Sequence, residues 1–290
     1  MHIDCDTSSP CALGEDILRT LYPRDLAASL LQSADEPAAE AALDALEAQQ
    51  ATADLNHPHA LCHLGVLAYR ERLFEQAEHY FDRAHRLTQQ RLSPRHPDVA
   101  TLLNNLGVVA SARGDDTAAR LHYEAALALK VEAHGWDDAS VAATVLNLGR
   151  LAERVGDLRS ALAHYAQARA TFELREGPTG PGLAAALIAH GRAQMRRGAL
   201  HDAIRDLERA LQIREATPTS TAQRSAARFF LAVAIQHLDP HRARALVLRA
   251  LDDHRALGPE PTDDRRALEA WLTWHDARNP PVRISPISNE

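Results

Sequence analysis

The sequence predicts an all-α protein, a solenoid of helix–turn–helix repeats closed by capping helices, and three observations carry that prediction. Gly65, Gly107, Gly149 and Gly191 stand 42 residues apart. Ala77, Ala119, Ala161 and Ala203 keep the same step, 12 residues after each glycine, and Ala84, Ala126, Ala168 and Ala210 follow in register. In the second and third periods, apolar residues recur at helical spacing on both sides of a Gly-Asp break. A fixed period of roughly 20–50 residues marks a stacked repeat array. Such an array is mainly surface, suited to holding other chains.

Residues 1–56 keep helical patterning without the repeat register. Pro23 and the run Asp35-Glu36-Pro37 mark helix starts, because proline fits the first turn. Helices are expected over 24–33 and 36–53, as an N-terminal tail and helical cap or a degenerate repeat. Five repeats are expected over 57–257, starting near residues 57, 97, 139, 181 and 221. The first helix of the second repeat carries Val99, Leu102, Leu103, Leu106 and Ala110, and that of the third Val141, Val145, Leu148 and Ala152. At Gly114-Asp115 and Gly156-Asp157 the glycine ends one helix and the aspartate caps the next. The second helices then carry Ala119, Tyr123 and Ala126, and Ala161, Tyr165 and Ala168.

The marker glycine and the first alanine leave no bulk where two helices cross, so Gly107 and Gly149 are expected to be buried. The residue four places after that alanine (Phe81, Tyr123, Tyr165, then Leu207) is expected to fill the gap between stacked repeats. The fifth repeat has Val233 at the glycine position and a shorter turn, Leu238-Asp239-Pro240. Residues 262–277 read as one amphipathic helix, expected to cap the array over 258–278 through Trp271 and Trp274. The tail over 279–290 holds prolines without pattern and is expected to be disordered.

Composition narrows the function. The chain has a net charge of −7 and a pI near 6.1, against the basic excess of nucleic-acid binders. No apolar run approaches the roughly 18 residues of a membrane span, and no signal-peptide pattern opens the chain. Three cysteines suit a reduced compartment, so a cytoplasmic location is expected. No GxSxG, Walker, GxGxxG or HExxH motif occurs, so neither enzymatic activity nor a cofactor is expected. His59 and His63 are spaced to share a metal, but a structural zinc site draws on two such pairs, and no metal is expected.

The succession of Leu-Gly, Gly-Asp, and Ala-aromatic-Ala resembles the tetratricopeptide repeat. The 42-residue step, the His57-Pro58 and His96-Pro97 turns, and the runs HPDVATLLNNLG and SVAATVLNLG resemble the long subtype of kinesin light chains and many bacterial proteins. The resemblance spans roughly residues 57–251. It implies a right-handed superhelical solenoid in which the first helix of each repeat lines a concave groove.

It also implies which positions face that groove: three and two residues before the marker glycine, and one, four and five after it. These include Cys62, His63, Val66, Tyr69 and Arg70 in the first repeat, and Asn104, Asn105 and Ser111 in the second. The third supplies Asn147, Arg150, Glu153 and Arg154, the fourth Ile188, Arg192, Met195 and Arg196, and the fifth Phe230. Arg150 and Arg154 share a helix face, and Arg192 and Arg196 repeat them one period on. Arginine grips carboxylates and phosphates bidentately, though solvated charges offset by Glu153 fit the same spacing. Asn105 and Asn147 stand in register, as groove asparagines that bind a peptide backbone do in this family, or as partners in a bond between helices.

The carboxylate clamp of chaperone-binding relatives is not reproduced, since Cys62, Val66 and Ala143 stand at its Lys, Asn and Lys positions. The expected function is a non-catalytic protein–protein interaction scaffold. Its partner is a protein or peptide with an acidic or phosphorylated segment; nucleic acid and membrane are not expected partners. A peptide-responsive regulatory receptor, or an accessory subunit presenting a substrate to a partner enzyme, are the alternatives. The receptor is disfavoured by an acidic N-terminal segment with no basic recognition helix.

Overall fold

The structure is a computed structural model describing residues 58–217, 219–257 and 263–279. The helices expected over 24–33 and 36–53, and the tail from 280 onward, lie outside the described residues. Two compact units are present, one up to His164 and one from Tyr165. Among the described residues every regular element is a helix.

In the first unit α1 (Pro58–Arg70) pairs with α2 (Phe74–Arg91), and α3 (Pro97–Arg113) with α4 (Asp116–His134). Next comes α5 (Ala139–Arg154), then α6 (Leu158–Glu176), in which the unit boundary falls. The second unit pairs α7 (Pro181–Arg197) with α8 (Leu200–Ala216), and α9 (Thr221–Ile235) with α10 (Pro240–Leu257). The last helix, α11 (Asp263–Arg278), packs on α10.

Local chemistry sets the helix ends. Gly114 closes α3 at φ 84°, a left-handed conformation that costs glycine nothing. Asp115 then accepts a hydrogen bond from Ala118 N at 2.9 Å and caps α4. Asp138 caps α5 through Ser140 N at 2.8 Å, and Asp239 caps α10 through Arg242 N at 2.9 Å. Asp157 does the same for α6 through Ser160, whose hydrogen bonds hold the Asp157 carboxyl below the usual carboxylate range.

The marker glycines sit where helices meet. A Cβ on Gly107 would lie 2.7 Å from the Tyr123 ring, and one on Gly65 2.7 Å from the Phe81 ring. In the second unit a Cβ on Gly191 would meet Leu207 Cγ at 2.8 Å. Gly149 is buried as well. The aromatic expected between stacked repeats thus lies against the glycine of its own repeat, because a residue without a side chain leaves a flat slot for the ring. Neighbouring repeats are also joined by a buried cation: Lys130 of α4 donates to Ser140 O and Thr144 Oγ1 of α5, both at 3.0 Å.

On α11, Leu268 is 3% exposed, and Trp271 and Leu272 pack against the cluster that holds Ala243, Val247 and Leu251. His275 is buried and stacks on Trp271 at 4.5 Å. Arg244 of α10 grips Asp276 at 2.8 and 3.1 Å. Trp274, expected to share the docking, is 39% exposed with Arg278 over its ring at 4.4 Å. The reason is helical phase. Residues 268, 271, 272 and 275 form one core-facing stripe, and 274 falls outside it.

Candidate ligand-binding face

First helices α3 and α5 touch in the first unit, and α7 and α9 touch in the second, so each unit presents a face of first helices. The side chains of His63 and Arg70 lie outside the described ones.

In the first unit the face is polar and bonded to itself. Asn105 is 4% exposed, and its Nδ2 donates to Cys62 Sγ at 3.8 Å, tying α3 to α1. Asn147 of α5 donates from Nδ2 to Asn104 Oδ1 of α3 at 3.1 Å. Arg150 donates to Asn147 Oδ1 at 3.2 Å. An Asn104–Asn147–Arg150 chain therefore crosses two repeats. Arg154 donates to the carbonyl of Ser111 and pairs with Asp116, closing α5 on α3 and α4. Glu153 and Ser111 are buried.

Tyr69 of α1 and Tyr123 of α4 are both buried. Burial pushes the ionisation of each hydroxyl up, and the positive charge of Arg150 works against it in both. Both therefore stay uncharged at neutral pH.

Three of these links join residues 43 apart: Cys62 with Asn105, Asn104 with Asn147, and Ser111 with Arg154. Adjacent first helices meet one residue beyond the repeat step, because helical side chains lean toward their N-terminus and cover the turn before their own Cα. Reading the asparagines in register at 42 pairs Asn105 with Asn147 and misses both actual partners. Comparing positions at 43 finds them.

In the second unit the corresponding face is apolar. Ile188 and Met195 of α7 and Phe230 of α9 are partly buried against the core and keep some surface. The Arg192 guanidinium sits 4.9 Å from the centre of the Phe230 ring, and Phe229 meets Phe230 edge-on at 5.7 Å. Arg196 is exposed.

The second unit also holds an ionic cluster that the sequence reading missed. His190 Nδ1 of α7 lies 2.7 Å from Asp206 Oδ2 of α8, and Arg169 of α6 donates to Asp206 Oδ1 at 3.4 Å. Asp206 is 5% exposed. A signal was present. Leu64, Leu106 and Leu148 give way to His190 in the same repeat where Tyr80, His122 and His164 give way to Asp206.

Among the described residues no three His, Cys, Asp or Glu side chains gather as a metal set would. No described helix is long and apolar enough to cross a membrane.

Comparison with known proteins bears on the array. The tetratricopeptide repeat family matches residues 57–130 and 140–216. BtubC (BKLC) from P. vanneervenii is similar in structure, with TM-score 0.60 and 21% identity, over 83% of this chain and 96% of that one. A putative kinesin light chain of Podosopora anserina with nearly identical repeats has TM-score 0.54 and 19% identity, over 70% and 99%. NprR, solved in complex with its cognate peptide NprX, has TM-score 0.59 and 14% identity, over 90% and 74%. These likenesses show an all-α helical repeat solenoid. No curated protein sequence matches the chain.

Proposed function

The chain belongs to the tetratricopeptide repeat family, and on that premise we propose that it is a non-catalytic scaffold whose first-helix faces bind a protein or peptide segment. The observation that carries this reading is the partial exposure of Ile188, Met195 and Phe230 on first helices, with Arg192 stacked on one of them. Large apolar groups left at a surface beside an oriented cation suit a partner's side chains better than they suit water. Asn105 and Arg154 hold the face together, while Asn104, Asn147 and Arg150 meet the partner in the first unit. Arg192 and Arg196 meet it in the second, and Tyr69 borders Arg150. His63 and Arg70 complete the α1 edge. The partner carries an acidic or phosphorylated segment, and the protein works in the cytoplasm.

The NprR structure holds a cognate peptide, so the fold shared with this chain accommodates one. That likeness supports a second reading, a receptor whose output follows peptide binding.

The test uses the whole chain as bait, followed by cross-linking of whatever is retained. Met195→Glu is expected to abolish retention of a specific partner with helicity unchanged. Retention equal to the parent, or cross-links confined to the second helices, would contradict the assignment.

A further inference from the structure

We infer that Arg150 is the centre of an oxyanion site in the first unit, built to receive one carboxylate or phosphoryl group of a bound segment. The inference rests on the reading of the first-helix face as the partner face.

Arg150 follows the marker glycine on α5 and is half-buried. Among the described residues its one hydrogen-bond partner is Asn147 Oδ1, and no carboxylate makes an ion pair with it. A guanidinium has five N–H donors, so most of its capacity is unspent. Three other partly buried arginines are answered by acids. Arg154 has Asp116, Arg228 has Asp253 and Glu215, and Arg244 has Asp276. A cation taken partly out of water without a counter-charge carries a desolvation cost. Arg150 bears that cost in an ordered position, since Asn147, which accepts its bond, is itself fixed by Asn104.

The surroundings select the ligand. The charge of Arg150 acts on the hydroxyls of Tyr69 of α1 and Tyr123 of α4, which burial keeps uncharged, so neither supplies a counter-charge. Arg154, one turn on, is already neutralised by Asp116 and does not compete. Glu153 is buried three residues on. A guanidinium fork with unspent N–H donors complements a group that only accepts, such as a carboxylate or a phosphate monoester.

The test is a titration of the full chain with inorganic phosphate and, separately, acetate, read from arginine Nε–H resonances. Arg150 is identified by the resonance lost in Arg150→Gln, and exposed Arg197 serves as reference. The expected result is a saturable shift of Arg150, with half-saturation on the order of millimolar, while Arg197 only drifts. Saturation at lower phosphate than acetate assigns a phosphoryl source, and the reverse assigns a carboxylate. Equal, unsaturated drift of both arginines is ionic screening alone and overturns the site. A partner retained by the scaffold but bound unchanged by Arg150→Gln also overturns it and leaves the scaffold reading standing. A saturable titration with no partner found supports the site and counts only against the scaffold. With the partner in hand, Arg150→Gln is expected to weaken binding about 10-fold or more.

Discussion

The two units solve the same packing problem and dress it differently. In the first, Asn104 bonds Asn147, and Arg150 bonds Asn147 in turn. In the second, Ile188 stands one double period after Asn104, and Arg192, one period after Arg150, lies over Phe230. Both keep a marker glycine against the side chain sixteen residues on: Gly107 with Tyr123 and Gly191 with Leu207. The difference separates two kinds of position. Those where backbones approach are fixed by steric contact. Those between first helices can be bonded, apolar or charged while the array stays intact. An array of this kind changes its recognition chemistry locally because each repeat touches only its neighbours.

The comparison can be broken in several ways, the largest effect first. Leu268→Ala removes a buried side chain from the α11 stripe of the second unit and is expected to cost about 2–5 kcal/mol. Amide exchange should quicken in α9, α10 and α11 and much less in α1 to α4. Equal quickening in both units would show that they do not respond separately. Gly107→Leu drives a side chain into the Tyr123 ring, at an overpacking cost of about 1–3 kcal/mol. Gly191→Leu should cost as much, since a Cβ there also meets Ala203 O at 3.2 Å. A melting temperature unchanged in either variant would mean that its glycine marks no close crossing.

Asn147→Ala should sharpen the contrast. It removes the α3–α5 side-chain bond of the first unit and is expected to cost about 1 kcal/mol. Ala189, one period on, has no polar side chain to lose, and Ala189→Ser should leave stability within about 0.5 kcal/mol of the parent if the hydroxyl bonds its own helix. Denaturant midpoints of the two variants test this directly, and equal losses would erase the distinction.

The smallest expected effect is a pH dependence belonging to the first unit. Burial lowers the pKa of His85, His122 and His164 below the ordinary 6.5. Their unfolded forms therefore bind protons first as pH falls. Stability is fully present above about pH 6.5 and declines toward pH 5. At the position equivalent to His122 and His164 the second unit has Asp206. Replacing His122 with Gln should flatten the decline in thermal stability over that window, and an unchanged profile would remove His122 from the explanation.

How much of this was legible follows from the same distinction. Gly107, Ala119 and Tyr123 repeat because backbone approach tolerates little else, so the helix pairs could be read from spacing. The bonds of Asn105 and Asn147 could not, because adjacent first helices meet at a step of 43 while the sequence repeats at 42. Asp116 could not be read as the partner of Arg154, because it lies on the preceding repeat's second helix, a neighbour that only the fold supplies. The sequence points to Trp274 beside Trp271 in the docking stripe, whereas helical phase puts Leu268 and His275 there. The His190–Asp206 pair needs two helices packed together before its logic appears.

The central claim, that first-helix faces bind a partner, is tested most directly by hydrogen–deuterium exchange of the full chain with and without a retained partner. The expected result is added protection in α3, α5, α7 and α9, with α2, α4, α8 and α10 unchanged. Protection confined to those second helices would contradict it.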